Sequence, residues 1–200
     1  MINQVIEKIK GFLLSPVETF RKSRGDTAVP VIAYFIVLLV FYGLLSAVIS
    51  AAGIMKNPIP SVMKMGLGVA DPVVVFITVF FSVIIAWLFL ILIWGLWLHI
   101  FVYIAGGRKD IMQTEKAAIY GSTPFLLLGW IPVIGLVIGG IWAIILTILG
   151  LRELQEITTG KAILAYVLAL VIIFVILILI VGWLVIALMS GMAPSNAMAY

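Results

Sequence analysis

The feature that most constrains this chain is residues 117–151, AAIYGSTPFLLLGWIPVIGLVIGGIWAIILTILGL, 35 residues without one charged side chain. Tyr120-Gly121 and Pro124 interrupt its first half, Pro132 sits near its middle, and Gly135, Gly139 and Gly140 line its second half. The stretch reads as two apolar helices folded back at residues 129–132. A helix satisfies its own backbone polar groups and is stable in lipid, and the turn can sit at the water interface. The expected solvent is therefore a bilayer. Composition agrees: the 200 residues are 65% hydrophobic and 10% charged, against roughly half and a quarter in soluble domains.

Four further apolar or amphipathic segments surround this hairpin. Residues 2–14 place Ile2, Val5, Ile6, Ile9 and Leu13 at helical spacing, with Lys8 and Lys10 on other faces. That helix is too polar to span. It is expected either to lie on the membrane surface, offering its lysines to anionic headgroups, or to pack on the protein's own loops. Ser15-Pro16-Val17-Glu18 carries the residues of a capping box with proline at the first helical position. The short helix it starts carries Arg21, Lys22 and Arg24, a basic flank toward the inner leaflet. Residues 1–29 thus form an amphipathic, basic N-terminal segment, too polar for a signal peptide.

The membrane domain is expected over residues 30–189. The first span covers residues 30–52, and Gly43 and Ala47 give it a small face for another helix to approach. Residues 53–71 break regular structure and are expected to fold over the outer surface. The second span runs from Asp71-Pro72 to Ile104, and at about 1.5 Å per residue it exceeds a core of about 30 Å, so it must tilt or protrude. The third span should kink at Pro124, whose missing donor frees carbonyls near Tyr120 and Gly121 for partners such as Ser122 or Thr123. In the fourth, Gly135 and Gly139 form a smooth crossing face. The fifth covers residues 162–189, and residues 190–200 form a short uncharged tail.

The fold expected is all-α: a bundle of five transmembrane helices with an N-terminal interfacial helix. Ten of the 12 Lys and Arg residues fall in segments on the N-terminal side of such a bundle, and only Lys56 and Lys64 fall opposite. The positive-inside rule then places the N terminus in the cytoplasm and the C terminus outside. Charge does not separate five spans from three spans plus a re-entrant hairpin. The net charge of +4 is scattered over loops beside apolar spans, a pattern of membrane orientation rather than nucleic-acid binding.

The chain is poor in chemistry. It has no cysteine, and its one histidine, His99, has no partner for an ordinary metal site. The eight carboxylates lie in loops or at span edges, and Ser122 lacks the flanking glycines of a nucleophile elbow. Neither an enzyme nor a cofactor is expected. Ion-coupled transport is disfavoured by the lack of ionisable groups within the spans. The break from Gly121 to Pro124 leaves a small channel or solute carrier as the alternative function.

Three segments carry a resemblance: residues 14–20, LSPVETF; residues 118–124, AIYGSTP; and Gly150-Leu151-Arg152 followed by residues 158–162, TTGKA. Together they resemble the prokaryotic branch of the Yip1-domain family. The resemblance implies five apolar spans, a cytoplasmic N terminus, a prokaryotic cell membrane, and membrane organisation or traffic rather than catalysis. It marks Tyr120, Gly121, Ser122 and Pro124 as the family motif. Eukaryotic relatives associate with prenylated small GTPases and with one another. Their Asp-Leu-Tyr-Gly-Pro element has no counterpart in residues 1–29, so GTPase binding does not carry over. Association with other membrane proteins, or with copies of itself, is the partner expectation.

Overall fold

In a computed structural model of the chain, residues 2–54 and 71–191 are described. Lys56, Lys64, most of the connecting segment expected on the outer surface, and residues 192–200 of the tail lie outside them. Helices α1 (Ile2–Leu14) and α2 (Pro16–Lys22) precede the first long helix, α3 (Ala28–Ala51). Then come α4 (Pro72–Ile104), α5 (Ile111–Gly121), α6 (Thr123–Leu128), α7 (Gly140–Leu154) and α8 (Thr159–Gly191).

Among the described residues, four helices are long and apolar enough to cross a membrane: α3, α4, α7 with the π-helical turn Gly135–Gly139 before it, and α8. The expected third span is the exception. Pro124 splits it into the 11-residue α5 and the 6-residue α6, so no single helix there has the length. The hairpin turn falls where expected, after Leu128. It places Val133 at φ 62°, a left-handed conformation that a β-branched residue adopts only under strain.

Local signals explain most boundaries. Asp71 accepts from the backbone of Val73 at 2.7 Å with Pro72 at the first helical position, so α4 starts there. Asp110 caps α5 by accepting from Gln113 at 3.1 Å. The capping box at Ser15 does not form. The Ser15 backbone N–H is already taken by the Gly11 carbonyl at 2.8 Å, and Glu18 turns to Lys22 one turn on at 2.8 Å.

The interfacial helix docks on the protein. Phe12 and Phe20 are fully buried, and Val5 is buried beside them, whereas Ile6 and Leu14 remain exposed. Of the two positions expected for α1, the structure shows packing on the protein, where Phe12 finds an aromatic pocket. The core holds Tyr34, Phe35, Leu38 and Leu39 of α3, Leu98 and Val102 of α4, Ala117 to Tyr120 of α5, Leu146 and Leu151 of α7, and Ala162, Ala165 and Ala169 of α8. Outward faces of the long helices are apolar and exposed, as lipid contact requires.

Candidate functional site

The three polar segments meet at one end of the bundle. Glu153, at the end of α7, is buried and accepts from Arg21 Nε at 2.7 Å and from Arg152 Nε at 2.9 Å, while Arg24 donates to its backbone carbonyl at 2.6 Å. Glu156 pairs with Lys109 at 2.8 Å and Arg24 at 3.2 Å. Gln155 is buried among the loops, donating to Thr114 Oγ1 at 2.9 Å and to the Asp110 carbonyl at 3.2 Å. Lys116 donates to the Arg24 carbonyl at 2.7 Å. Burial lowers the Lys116 ammonium from its ordinary range, against the charges of Asp26 and Asp110.

Beneath this layer lies the break in the third segment, with Tyr120 at its centre. The Tyr120 ring is fully buried, stacked on Phe12 at 4.6 Å between centroids and edge-on to Tyr34 at 5.2 Å. Its hydroxyl donates to Asp26 Oδ2 at 2.6 Å and accepts from Lys8 Nζ at 2.8 Å, and Lys8 also pairs with Asp26. Burial pushes the Asp26 carboxyl up, but hydrogen bonds from Lys8 and Tyr120, with the Lys8 charge, outweigh it and hold the group below the usual carboxylate range. Three elements, α1, the segment before α3, and α5, are thus tied by one hydroxyl.

The break itself is closed. Pro124 has no N–H for the Tyr120 carbonyl, and Thr123 Oγ1 donates to that oxygen at 2.6 Å in its place. The same hydroxyl accepts from Tyr34, whose oxygen lies 2.8 Å away in a fully buried setting. Ser122 Oγ donates to the Ile119 carbonyl at 2.7 Å. Gly121 is where α5 meets α7: a Cβ there would fall 2.1 Å from Thr147 Oγ1 and 2.8 Å from Thr147 Cα. One turn of α7 further on, a Cβ at Gly150 would fall 2.8 Å from the Phe20 ring. The three segments that carried the resemblance therefore converge, Phe20 from the first, Tyr120 and Gly121 from the second, and Gly150 from the third.

The other residues singled out in the sequence have identifiable surroundings. Gly43 faces Phe80 and Ile84 of α4, with Ala47 buried one turn on. Gly135 meets the backbone of Leu128 and Gly139 that of Pro124 and Phe125, so these small faces are occupied within the chain. Lys8, Arg21, Lys22 and Arg24 each pair with a carboxylate of the chain, and Lys10 is exposed. His99 Nδ1 lies 2.8 Å from Thr114 Oγ1. Among the described residues no group of three or more His, Asp and Glu side chains has metal-binding geometry.

Sequence reasoning missed Phe12, Asp26, Glu115 and Gln155. Asp26 offered a signal, a lone acid between a basic helix and the first span. Glu115 offered none: its carboxylate fills the place of the absent side chain at Gly95, where a Cβ would fall 2.3 Å from Oε2, and that oxygen is buried without a hydrogen-bond partner. Glu115 precedes the uncharged stretch, and burial pushes its carboxyl up to about 7.

This architecture defines a helical integral membrane protein whose N-terminal helices are locked onto a proline-broken segment by a tyrosine. Residues 10–182 match the family model of the Yip1 domain, and the chain belongs to that family. No curated protein and no solved structure matches the chain.

Proposed function

We propose that this Yip1-domain protein is a non-enzymatic organiser of the membrane, associating through a transmembrane helix with other membrane proteins or with copies of itself. The observation that carries the reading is α8. From Phe174 to Ser190 every residue of that helix is exposed, although its first half is packed on α4 and α7. A span whose outer half has no neighbour among the described residues offers a full face to a helix from another chain. The small faces at Gly43 and Gly135 do not serve this role, because they are occupied internally.

The proposal includes five spans, counting the uncharged part of α5 from residue 117 together with α6 as one broken crossing, and an N terminus on the cytoplasmic side of a prokaryotic cell membrane. Ten of 12 basic residues on the side of the docked helices support that orientation. On that side the exposed Lys10 is placed to meet anionic headgroups.

Because the chain has no native cysteine, single cysteines can be read without background. Ile178→Cys and Ile186→Cys, both exposed, are expected to form crosslinks in native membranes. A cysteine at Ala165, buried inside the bundle, is the control. Failure of both α8 positions to crosslink to anything refutes the reading.

The second reading, a small solute carrier, has one observation in its favour: an apolar cleft of about 390 Å³ beside the break, lined by Trp87, Trp94, Ser122, Phe125, Thr147 and Tyr166. Its weakness is that the Tyr120 carbonyl, which Pro124 leaves without a backbone donor, is satisfied by Thr123. Flux assays in liposomes, with Pro124→Leu as control, separate the two.

A further inference from the structure

Two cavities flank α1 and have three lining residues in common. The larger, about 590 Å³, opens between α1 and α2 and is lined by polar side chains that include Glu7, Lys8, Glu18, Lys22 and Asp26. The smaller, about 250 Å³, is an apolar groove between α1 and α3 lined by Val5, Val29, Ala33 and Val37. Gln4, Lys8 and Pro30 belong to both. The groove follows α3 from Val29 to Val37, eight residues or about 12 Å at a rise of 1.5 Å per residue. It therefore leads from the polar end of the bundle down along the first span. A basin at the head of a span, continued by an apolar channel along it, has the shape of a site for an amphiphile with its head up and its chain down.

Charge selects the head. The ionisable side chains of the basin are two cationic, Lys8 and Lys22, and three anionic, Glu7, Glu18 and Asp26. Lys8 is matched by Asp26 and Lys22 by Glu18, which leaves Glu7 uncompensated. An anionic head would enter a basin that is already negative. A choline head would bring positive charge without an N–H to donate. An ethanolamine head brings an ammonium with three donors together with a phosphate. The Lys22–Glu18 pair is exposed at both ends, so opening it to receive a phosphate and an ammonium costs little.

We propose that this composite cavity binds a phosphatidylethanolamine molecule, its ammonium toward Glu7 and Glu18, its phosphate toward Lys22, and one acyl chain in the groove along α3. The site is independent of what α8 contacts, and it holds whether the chain works alone or in an assembly.

The test is lipid retention by the purified full-length protein, measured by native mass spectrometry after exchange into detergent. Dioleoyl lipids bearing ethanolamine, choline or glycerol heads serve as probes. Retention of the ethanolamine lipid is expected to exceed that of the other two by roughly fivefold, the equilibrium counterpart of about 1 kcal/mol from one exposed charge pair. Glu7→Gln, at an exposed position where folding is not at stake, should erase the difference, and Glu7→Lys should turn the preference to the glycerol head. Ala33→Phe, which fills the groove, should lower retention of all three. Equal retention of the three lipids by the unaltered protein, preference for the glycerol head, or an ethanolamine preference that survives Glu7→Gln overturns the proposal. Crosslinking at α8 plays no part in these readouts, so the two proposals fail separately.

Discussion

The Tyr120 hydroxyl donates to Asp26 Oδ2 at 2.6 Å across 94 residues of sequence, from the middle of the broken third segment to the chain just ahead of the first span. Lys8 completes the contact by touching both. The consequence is that the docked position of α1 and α2 depends on a side chain at the break. Tyr120→Phe keeps the ring stacked on Phe12 but removes the hydroxyl. We expect it to cost about 1–3 kcal/mol, the range for losing a hydrogen bond to a charged group. Thermal unfolding in detergent measures the loss, and limited proteolysis at Lys8 and Lys10 reports release of α1. The same change in an Asp26→Asn background should cost clearly less, since the two groups act on each other. Equal costs in both backgrounds would show that the bond contributes nothing.

Gly121 supplies the second prediction. The missing side chain lets α7 approach until Thr147 Cα would lie 2.8 Å from a new methyl, a distance that forces the helices apart. Gly121→Ala is expected to destabilise by about 1–3 kcal/mol through overpacking. Gly140, where a Cβ would meet nothing within 4 Å, is the contrasting position. Gly140→Ala should be neutral or raise the melting temperature, because alanine is the better helix former by up to about 1 kcal/mol. A melting curve for each variant suffices, and the idea fails if both shift alike.

That contrast also shows what was legible in the residues. The long apolar runs announce α3, α4, α7 and α8, because a bilayer demands lengths and compositions that few other structures share. Pro124 announces the break, and the need of a partner for the Tyr120 carbonyl leaves Ser122, Thr123 or a neighbouring helix as candidates, of which the structure uses Thr123. Length decides less for the third segment, because proline divides residues 111–128 into α5 and α6 and neither piece alone is long enough to span. Long-range pairs are the part that local pattern does not encode. Lys8 reads as an exposed headgroup ligand until Asp26 and Tyr120 are seen beside it, and Gly95 reads as one more small residue until Glu115 fills its notch.

Thr123 carries two buried bonds with one hydroxyl, donating to the Tyr120 carbonyl and accepting from Tyr34. Thr123→Val preserves shape and leaves both partners unsatisfied in an apolar setting. The expected cost is about 2 kcal/mol or more, since a buried polar group left alone forfeits its full hydration. Thr123→Ser keeps the oxygen and should retain most of the stability. If valine were tolerated as well as serine, water or another donor would have to reach the break.

Glu115 makes stability depend on pH in the direction opposite to the ion-paired acids. Its side chain lies against Gly95 of α4 with Oε2 unpartnered, and burial raises its carboxyl from 4.5 to about 7. His99, one turn from Gly95 on α4, is engaged with Thr114, and Lys116, next to Glu115 in sequence, with the Arg24 carbonyl. Between pH 4.5 and 7 the folded protein therefore holds a proton that the unfolded chain has released. With more protons bound in the native state, stability falls as pH rises through this window and levels off above it. Asp26, held below its ordinary value, acts only in acid, losing its contribution as pH falls through its lowered range. Melting temperatures taken in detergent from pH 5 to pH 8 should decline for the unaltered chain. Glu115→Gln, uncharged throughout, should remove most of that decline and melt higher than the parent at pH 8. Gly95→Ala should act differently, lowering stability at every pH, because its methyl occupies the position of the carboxylate and evicts it. A pH profile that Glu115→Gln leaves unchanged would mean that the carboxylate finds water or a counter-charge in the folded state, and that the notch at Gly95 does not hold a neutral acid.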